Sequence, residues 1–223
     1  MIFSSSCTVY GQARELPITE ATPLQPSTSP YGFSKQMGEQ IIQDSCKANP
    51  NFKSILLRYF NPIGAHPSAQ IGEYPQGIPQ NLVPCLTQTV IGKRPKLTVF
   101  GSNYDTPDGT CIRDYIHVMD LAQAHIESLN YLIASKQKSS CEIFNVGTGR
   151  GASVLELIQE FEKATGEKVT YEFSAPREGD TVASYADVTK IAKKLGWKAQ
   201  HSLQEALKSA WDWEKNINSL HQL

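Results

Sequence analysis

Strand-length apolar runs alternate with helical patterns along this chain, and that alternation constrains its fold more than any other feature. KSILLRYF (residues 53–60) is apolar almost throughout, as a strand is when both of its faces are covered. EIFNV (142–146) repeats the pattern, and MIFSSS (1–6) reads as the end of another buried strand. Helical stretches are expected at 35–48, closed by Asn49-Pro50, and at 81–91, 119–134, 154–165, 188–195 and 203–215. LTVFG (97–101), DYIHV and KVTYEF (168–173) are shorter strand candidates, and the Pro- and Gly-rich piece 62–79 reads as a loop. Such alternation predicts an α/β fold with a largely parallel sheet. A chain of 223 residues, 40% of them apolar, is long enough for one large domain or two small ones. Parallel sheets need covered faces and protected edges. A chain that opens inside a buried strand is therefore expected to lack an N-terminal portion.

Charge excludes some partners. Lys and Arg (21) balance Asp and Glu (22), so no net field favours nucleic acid or an anionic membrane. No apolar run has the length of a membrane span, and a signal-peptide pattern is missing. The cysteines Cys7, Cys46, Cys85, Cys111 and Cys141 are odd in number and form no CxxC pair. Neither a zinc site nor a disulfide framework is indicated, and reduced thiols in a cytoplasmic protein are expected.

TSPYGFSK sets Tyr31 and Lys35 four residues apart, on one face of a helix. A free phenol titrates near about 10 and is a poor base at neutral pH, but a neighbouring ammonium stabilises the phenolate. Tuned in this way, Tyr31 could take a proton from a sugar hydroxyl. Ser6 precedes it by 25 residues at a strand's C-terminal end, where open α/β sheets bind ligands. NVGTGRGASV follows a strand and has Glu172 downstream, as a dinucleotide fingerprint does. Its glycines, Gly147, Gly149 and Gly151, are spaced G-x-G-x-G, however, and favour a tight strand-to-helix turn.

SSSCTVYG, SPYGFSK, LLRYFNPIGAHPS, PQGIPQNL, DGTCIRDYIHVMDLA, NVGTG and REGD occur in that order. Together they resemble the UDP-glucose 4-epimerases, which are extended short-chain dehydrogenases/reductases. The resemblance covers nearly the whole chain. It implies the C-terminal part of a Rossmann-type parallel sheet plus a smaller α/β substrate-binding domain. Residues 1–60, with 113–134 returning to them, would be the remainder of the NAD-binding domain. Residues 61–112 and 135–223 would bind the UDP-sugar.

The same resemblance implies a tightly held NAD and interconversion of UDP-galactose and UDP-glucose. C4 would be oxidised, the 4-keto sugar would rotate, and the hydride would return on its other face. Tyr31 would be the base, and Lys35 would bind the nicotinamide ribose and lower the Tyr31 pKa. Ser6 would contact O4, with Cys7 and Thr8 beside it, and Tyr59 and Phe60 would line the nicotinamide and sugar pocket. Asn61, Gln80, Asn81 and Leu82 would meet the diphosphate and sugar, and Thr98, Val99 and Phe100 would border the uracil. Arg113 and Arg177 would clamp the phosphates, and Asp180 would accept from the ribose. Tyr115 is a pocket-wall candidate, whereas His117 is expected to order the interior.

Members of this family begin with a glycine-rich Rossmann turn that has no counterpart in this chain. They usually form homodimers through the Tyr–Lys helix and its neighbour. A homodimer or a complementary N-terminal chain is thus the expected partner. Gln80 replaces the first asparagine of the usual NNL. Ser184 occupies the position that sets how large a C2 substituent fits, and its small side chain implies that N-acetylated UDP-sugars are accepted. A 4,6-dehydratase of the same superfamily would need an Asp-Glu pair where this chain has Cys7 and Thr8. An inactive fragment that only binds UDP-sugar or a partner chain is the other open reading.

Overall fold

The computed structural model describes residues 1–27, 29–177 and 179–220. In chain order it runs β1 (Ile2–Ser6), a 3-10 turn (Cys7–Tyr10), α1 (Pro30–Ala48), β2 (Ser54–Tyr59), β3 (Asn61–Ile63), α2 (Leu82–Val90) and β4 (Leu97–Phe100). It continues through β5 (Ile112–Arg113), β6 (Tyr115–His117), α3 (Val118–Ile133), β7 (Cys141–Val146), β8 (Ala152–Ser153) and α4 (Val154–Thr165). β9 (Tyr171–Ser174), β10 (Ala183–Ser184), α5 (Thr189–Leu195) and α6 (Leu203–Leu220) complete it.

The main sheet has the order β1-β2-β7, and all of its pairs are parallel. The apolar run of β2 is explained by its central place. Ile55 and Leu57 turn to one face and pack with Ile116, Ala124, Tyr131, Phe144, Ile191 and Trp197. Leu56 turns to the other face and meets Ile42 and Cys46 of α1. The period-2 pleat thus sends alternate residues into two separate apolar layers.

A second core lies among α2, β4, α4 and α6, where Leu86, Val99, Leu157, Phe161 and Leu207 are almost wholly buried. Around it stand short ladders: β4 with β9, β3 with β6, and β10-β5-β8.

Two expectations change in the structure. The helix expected at 35–48 begins at Pro30, because the Ser29 hydroxyl caps it by accepting from Gly32 N and Pro30 takes the first turn. β7 lies beyond the boundary expected at residue 135, yet it pairs with β2 along its whole length. Ile191 of α5 and Trp197 pack on that same sheet. The segment 135–223 is therefore shared between the two cores. Its backbone and its buried Phe144 and Val146 find their partners only beside β2.

His117 does order the interior. It is 3% exposed; its Nδ1 accepts from Met119 N at 3.0 Å, capping α3, and its Nε2 faces the Ser209 hydroxyl of α6 at 3.2 Å. An Nδ1 that accepts must be unprotonated. Burial holds the imidazole below its ordinary range, reinforced by the His201 charge and opposed by Asp120 and Glu205. Below 6.5 the unfolded chain takes up this proton before the folded one does, so the stability contributed by neutral His117 is lost as pH falls through that window. The urea midpoint is accordingly expected to drop as pH is lowered below 6.5. His117→Asn, which keeps an acceptor for Met119 N, should flatten that slope.

Candidate active site

Two groups of side chains meet at the C-terminal ends of β1 and β2. The first surrounds Ser6, which is buried at the last position of β1 and caps the 3-10 turn. Its hydroxyl accepts from Thr8 N at 3.2 Å and from the Thr8 hydroxyl at 3.0 Å. Tyr31 and Lys35 lie one turn apart in α1. Lys35 Nζ donates to the Ser4 carbonyl at 2.9 Å and stands over the rings of Phe3 and Tyr31, at 5.4 and 5.5 Å from their centroids.

Lys35 is expected to lower the Tyr31 pKa, yet the phenol stands above its ordinary value. Partial burial pushes the Tyr31 phenol up; the Ser6 hydroxyl opposes this, and Tyr59 and Cys7 add to it. The Ser4 carbonyl engages the Lys35 ammonium. Tyr59 is half-buried, with its ring 6.5 Å from His125. Phe60, expected beside it in the pocket, is 3% exposed and packs instead with Val9, Tyr10, Ile18 and Ala186. Successive residues of an extended chain face opposite ways, so Tyr59 and Phe60 cannot line one wall.

The second group forms a cavity of about 530 Å³ between α2, β4 and the segment before β10. Asn61, Gln80, Asn81, Leu82, Thr98, Val99, Phe100, Arg113, Arg177 and Asp180, each expected at a nucleotide site, all line it, and Tyr115 does too. The Arg177 guanidinium stacks 4.0 Å above the Phe100 ring, which presents its donors edge-on and leaves its face desolvated. Arg113 pairs with Asp180 at 2.5 Å, and the Tyr104 hydroxyl donates to the same carboxylate at 3.4 Å. Asn81 donates to Glu73 at 2.7 Å at the cavity mouth.

Cys7 joins the two groups. Burial pushes its thiol up to about 11; Arg113 lowers it, Asp114 raises it, and the Ser184 and Ser6 hydroxyls lower it. A single thiol thus interacts with Ser6, the cavity arginine Arg113 and Ser184 of β10. Thr8, expected at the same place, is exposed and turned to Ser6.

Arg94, Glu73, Cys85 and Cys111 also line the cavity, and sequence reading missed them. Arg94 follows α2 immediately, where a basic residue reads as complementing a helix C-terminus. The signal that could have found it is its place just ahead of the cavity strand LTVF.

The glycine-rich turn after β7 is a structural hub. Asp114, wholly buried, accepts from Thr148 N (2.8 Å), the Thr148 hydroxyl (2.6 Å), Gly149 N (3.1 Å) and Ala186 N (3.2 Å). These amides already hold a carboxylate and are not free to cradle a pyrophosphate. Glu172, the acid that completed the apparent fingerprint, lies on β9 and pairs with Lys96 at 2.5 Å.

A family model described as GDP-mannose 4,6 dehydratase matches residues 1–210. The chain belongs to that family. It is 50% identical over 214 residues to UDP-glucose 4-epimerase of Dictyostelium discoideum, covering 96% of this chain. The UDP-glucose 4-epimerase of Stenotrophomonas maltophila, solved with NAD and formylated UDP-arabinopyranose, superposes with TM-score 0.94 at 42% identity over 98% of the chain. That of Bifidobacterium longum, solved with NAD+ and UDP, superposes with TM-score 0.91 at 46% identity over 97%. The chain spans 61% of the Dictyostelium protein and 64% of each of these two crystallised chains. The resemblance read from the motifs is thus met across the whole chain, as is the α/β fold with parallel sheets.

One feature of the family hub is open to a direct test. A Cβ added at Gly147 would stand 2.4 Å from Asp114 Oδ2. Gly147→Ala is expected to destabilise the chain by about 1–3 kcal/mol, read as a lower urea midpoint.

Proposed function

We propose that this chain carries the sugar-nucleotide half of a UDP-glucose 4-epimerase site and interconverts UDP-galactose and UDP-glucose. The observation that carries this reading is a cavity that presents Arg113 and Arg177, with Cys7 interacting with both Arg113 and Ser6. The two guanidinium groups suit a diphosphate, Asp180 suits ribose hydroxyls, and Thr98, Val99 and Phe100 suit the face of a uracil. The sugar then extends past Ser184 and Cys7 toward Ser6 and Tyr31.

In this arrangement Tyr31 takes the proton of the 4-hydroxyl, and Ser6 shares that hydrogen bond. Cys7 and Thr8 follow Ser6, so no carboxylate stands there to assist loss of water. Lys35 and Tyr59 lie where the strands end and fit the nicotinamide end of NAD; the turn at 147–151, its amides held by Asp114, does not fit the pyrophosphate. NAD, when bound, supplies the hydride acceptor for sugar C4 and a positive charge beside the Tyr31 phenol. Burial, with Tyr59 and Cys7, raises that phenol, so Tyr31 depends on such a neighbour to act near neutral pH. Phe33, Met37 and Ile41 of α1 are 55, 46 and 66% exposed and support a homodimer through this helix. All five cysteines are free thiols, which suits a cytoplasmic protein. Among the described residues no helix is long and apolar enough to cross a membrane.

The test is conversion of UDP-galactose to UDP-glucose by the purified chain with added NAD+. Turnover is expected to exceed that of Tyr31→Phe by about 10² or more; equal rates would overturn the role of Tyr31. The small side chain of Ser184 predicts turnover of UDP-GalNAc as well. Ser184→Tyr should abolish that activity and keep UDP-galactose turnover, whereas a parent inert toward UDP-GalNAc would overturn the size argument.

A further inference from the structure

One buried charged group in the described structure touches neither the cavity nor Tyr31. Glu39 of α1 is 1% exposed, and its partner Arg58 of β2 is 3% exposed. Arg58 Nε donates to Glu39 Oε1 at 2.8 Å, and Nη2 donates to Oε2 at 2.5 Å. The Ser5 hydroxyl of β1 donates to the same Oε1 at 2.5 Å. Ser5 and Arg58 are register partners across the β1–β2 ladder, so both reach the carboxylate from one face of the sheet. Beneath the fork, the Tyr10 ring lies 4.8 Å from the Arg58 guanidinium, and its hydroxyl donates to Asn145 of β7 at 2.6 Å.

Glu39 stands four residues beyond Lys35 and eight beyond Tyr31, on the same side of the helix. Its partners are equally placed. Ser5 precedes Ser6, and Arg58 precedes Tyr59. A single carboxylate therefore binds the helix that carries Tyr31 and Lys35 to the two strands that carry Ser6 and Tyr59. We infer that Glu39 is a positioning residue, which locks α1 on β1 and β2 and so sets Tyr31, Lys35 and Ser6 at their working separation.

Stability alone is a weak reason for such a pair. A buried ion pair can often be replaced by apolar side chains of similar volume without loss, and Ile42, Cys46 and Leu56 already supply an apolar contact nearby. Apolar contacts, however, let a helix slide or roll, whereas a two-pronged guanidinium–carboxylate bond fixes both its height and its rotation. This inference rests on the proposed function for its catalytic meaning, but the geometry it concerns can be measured without turnover.

The experiment compares the parent chain with the double variant Glu39→Leu/Arg58→Leu, which removes both charges together. Its urea midpoint is expected to stay close to the parent's. kcat for UDP-galactose with NAD+ should fall by about 10²-fold, the scale of a misplacement near 1 Å. KM should stay within about twofold, because other elements build the cavity. A folded double variant with the parent's kcat would overturn the inference. If the double variant does not fold, Arg58→Lys, which keeps the charge and loses the fork, takes its place with the same readouts.

A second measurement follows the Tyr31 Cζ resonance in chains labelled with 13C-tyrosine, assigned by its disappearance in Tyr31→Phe. In the charge-free variant its titration midpoint should fall back toward the ordinary value of about 10 as α1 loosens and the phenol, raised mainly by burial, regains water. An unchanged midpoint would overturn the inference even in a chain without turnover. Equal turnover by parent and Tyr31→Phe, with the midpoint moved, would instead sink the proposed role of Tyr31 and leave the positioning of α1 standing.

Discussion

The fork between Arg58 and Glu39 is the contact on which the site geometry depends. Two opposite charges inside a helix–sheet layer lose nearly all of their water, and removing either partner alone would cost about 3–5 kcal/mol. Burial by itself would lower the Arg58 guanidinium, and the Glu39 carboxylate more than offsets it, so the arginine is held above its ordinary range. Tyr10, buried against that guanidinium, has its phenol pushed up to about 12 mainly by desolvation. The pair sits at one height in the sheet, where β1, β2 and α1 converge. β1 and β2 continue by one residue to Ser6 and Tyr59, and α1 carries Tyr31 eight residues before Glu39.

A second buried carboxylate does comparable work between the two cores. Asp114 leads from β5 into β6 and gathers amides from the turn after β7 and from the segment after β10. Burial raises its pKa, and the four donated hydrogen bonds oppose that rise. Arg113 next to it points into the cavity, and Ser184 is its partner across the β5–β10 ladder. Arg113 and Ser184 are thus placed by one hub. Glu39 orients the proton-transfer side, Asp114 orients the nucleotide side, and Cys7 lies where the two meet.

Much of the fold was legible from periodicity. The almost continuous apolar run of 53–60 announced a buried strand, and residues 154–165 were read as a helix that the structure reproduces as α4. The start of α1 was missed because Pro30 and Gly32 read as breakers there, and only the Ser29 cap marks the boundary. The role of β7 was missed because strand pairing is a long-range choice that local pattern does not encode. The cavity residues were legible through motifs, Arg113 and Arg177 above all. Phe60 was misplaced because motif adjacency says nothing about which way a side chain faces.

By itself the sequence determined the α/β class, the Tyr31–Lys35 spacing and the residues that would face a nucleotide, because these follow from local periodicity and from side-chain chemistry. Only the tertiary structure decided that Lys35 donates to the Ser4 carbonyl. It also decided that the glycine turn holds Asp114 instead of a phosphate, and that Glu39 finds Arg58 and Ser5. Each of these outcomes turns on which distant groups share a desolvated space, and burial makes such pairings strong while leaving no local trace in the chain.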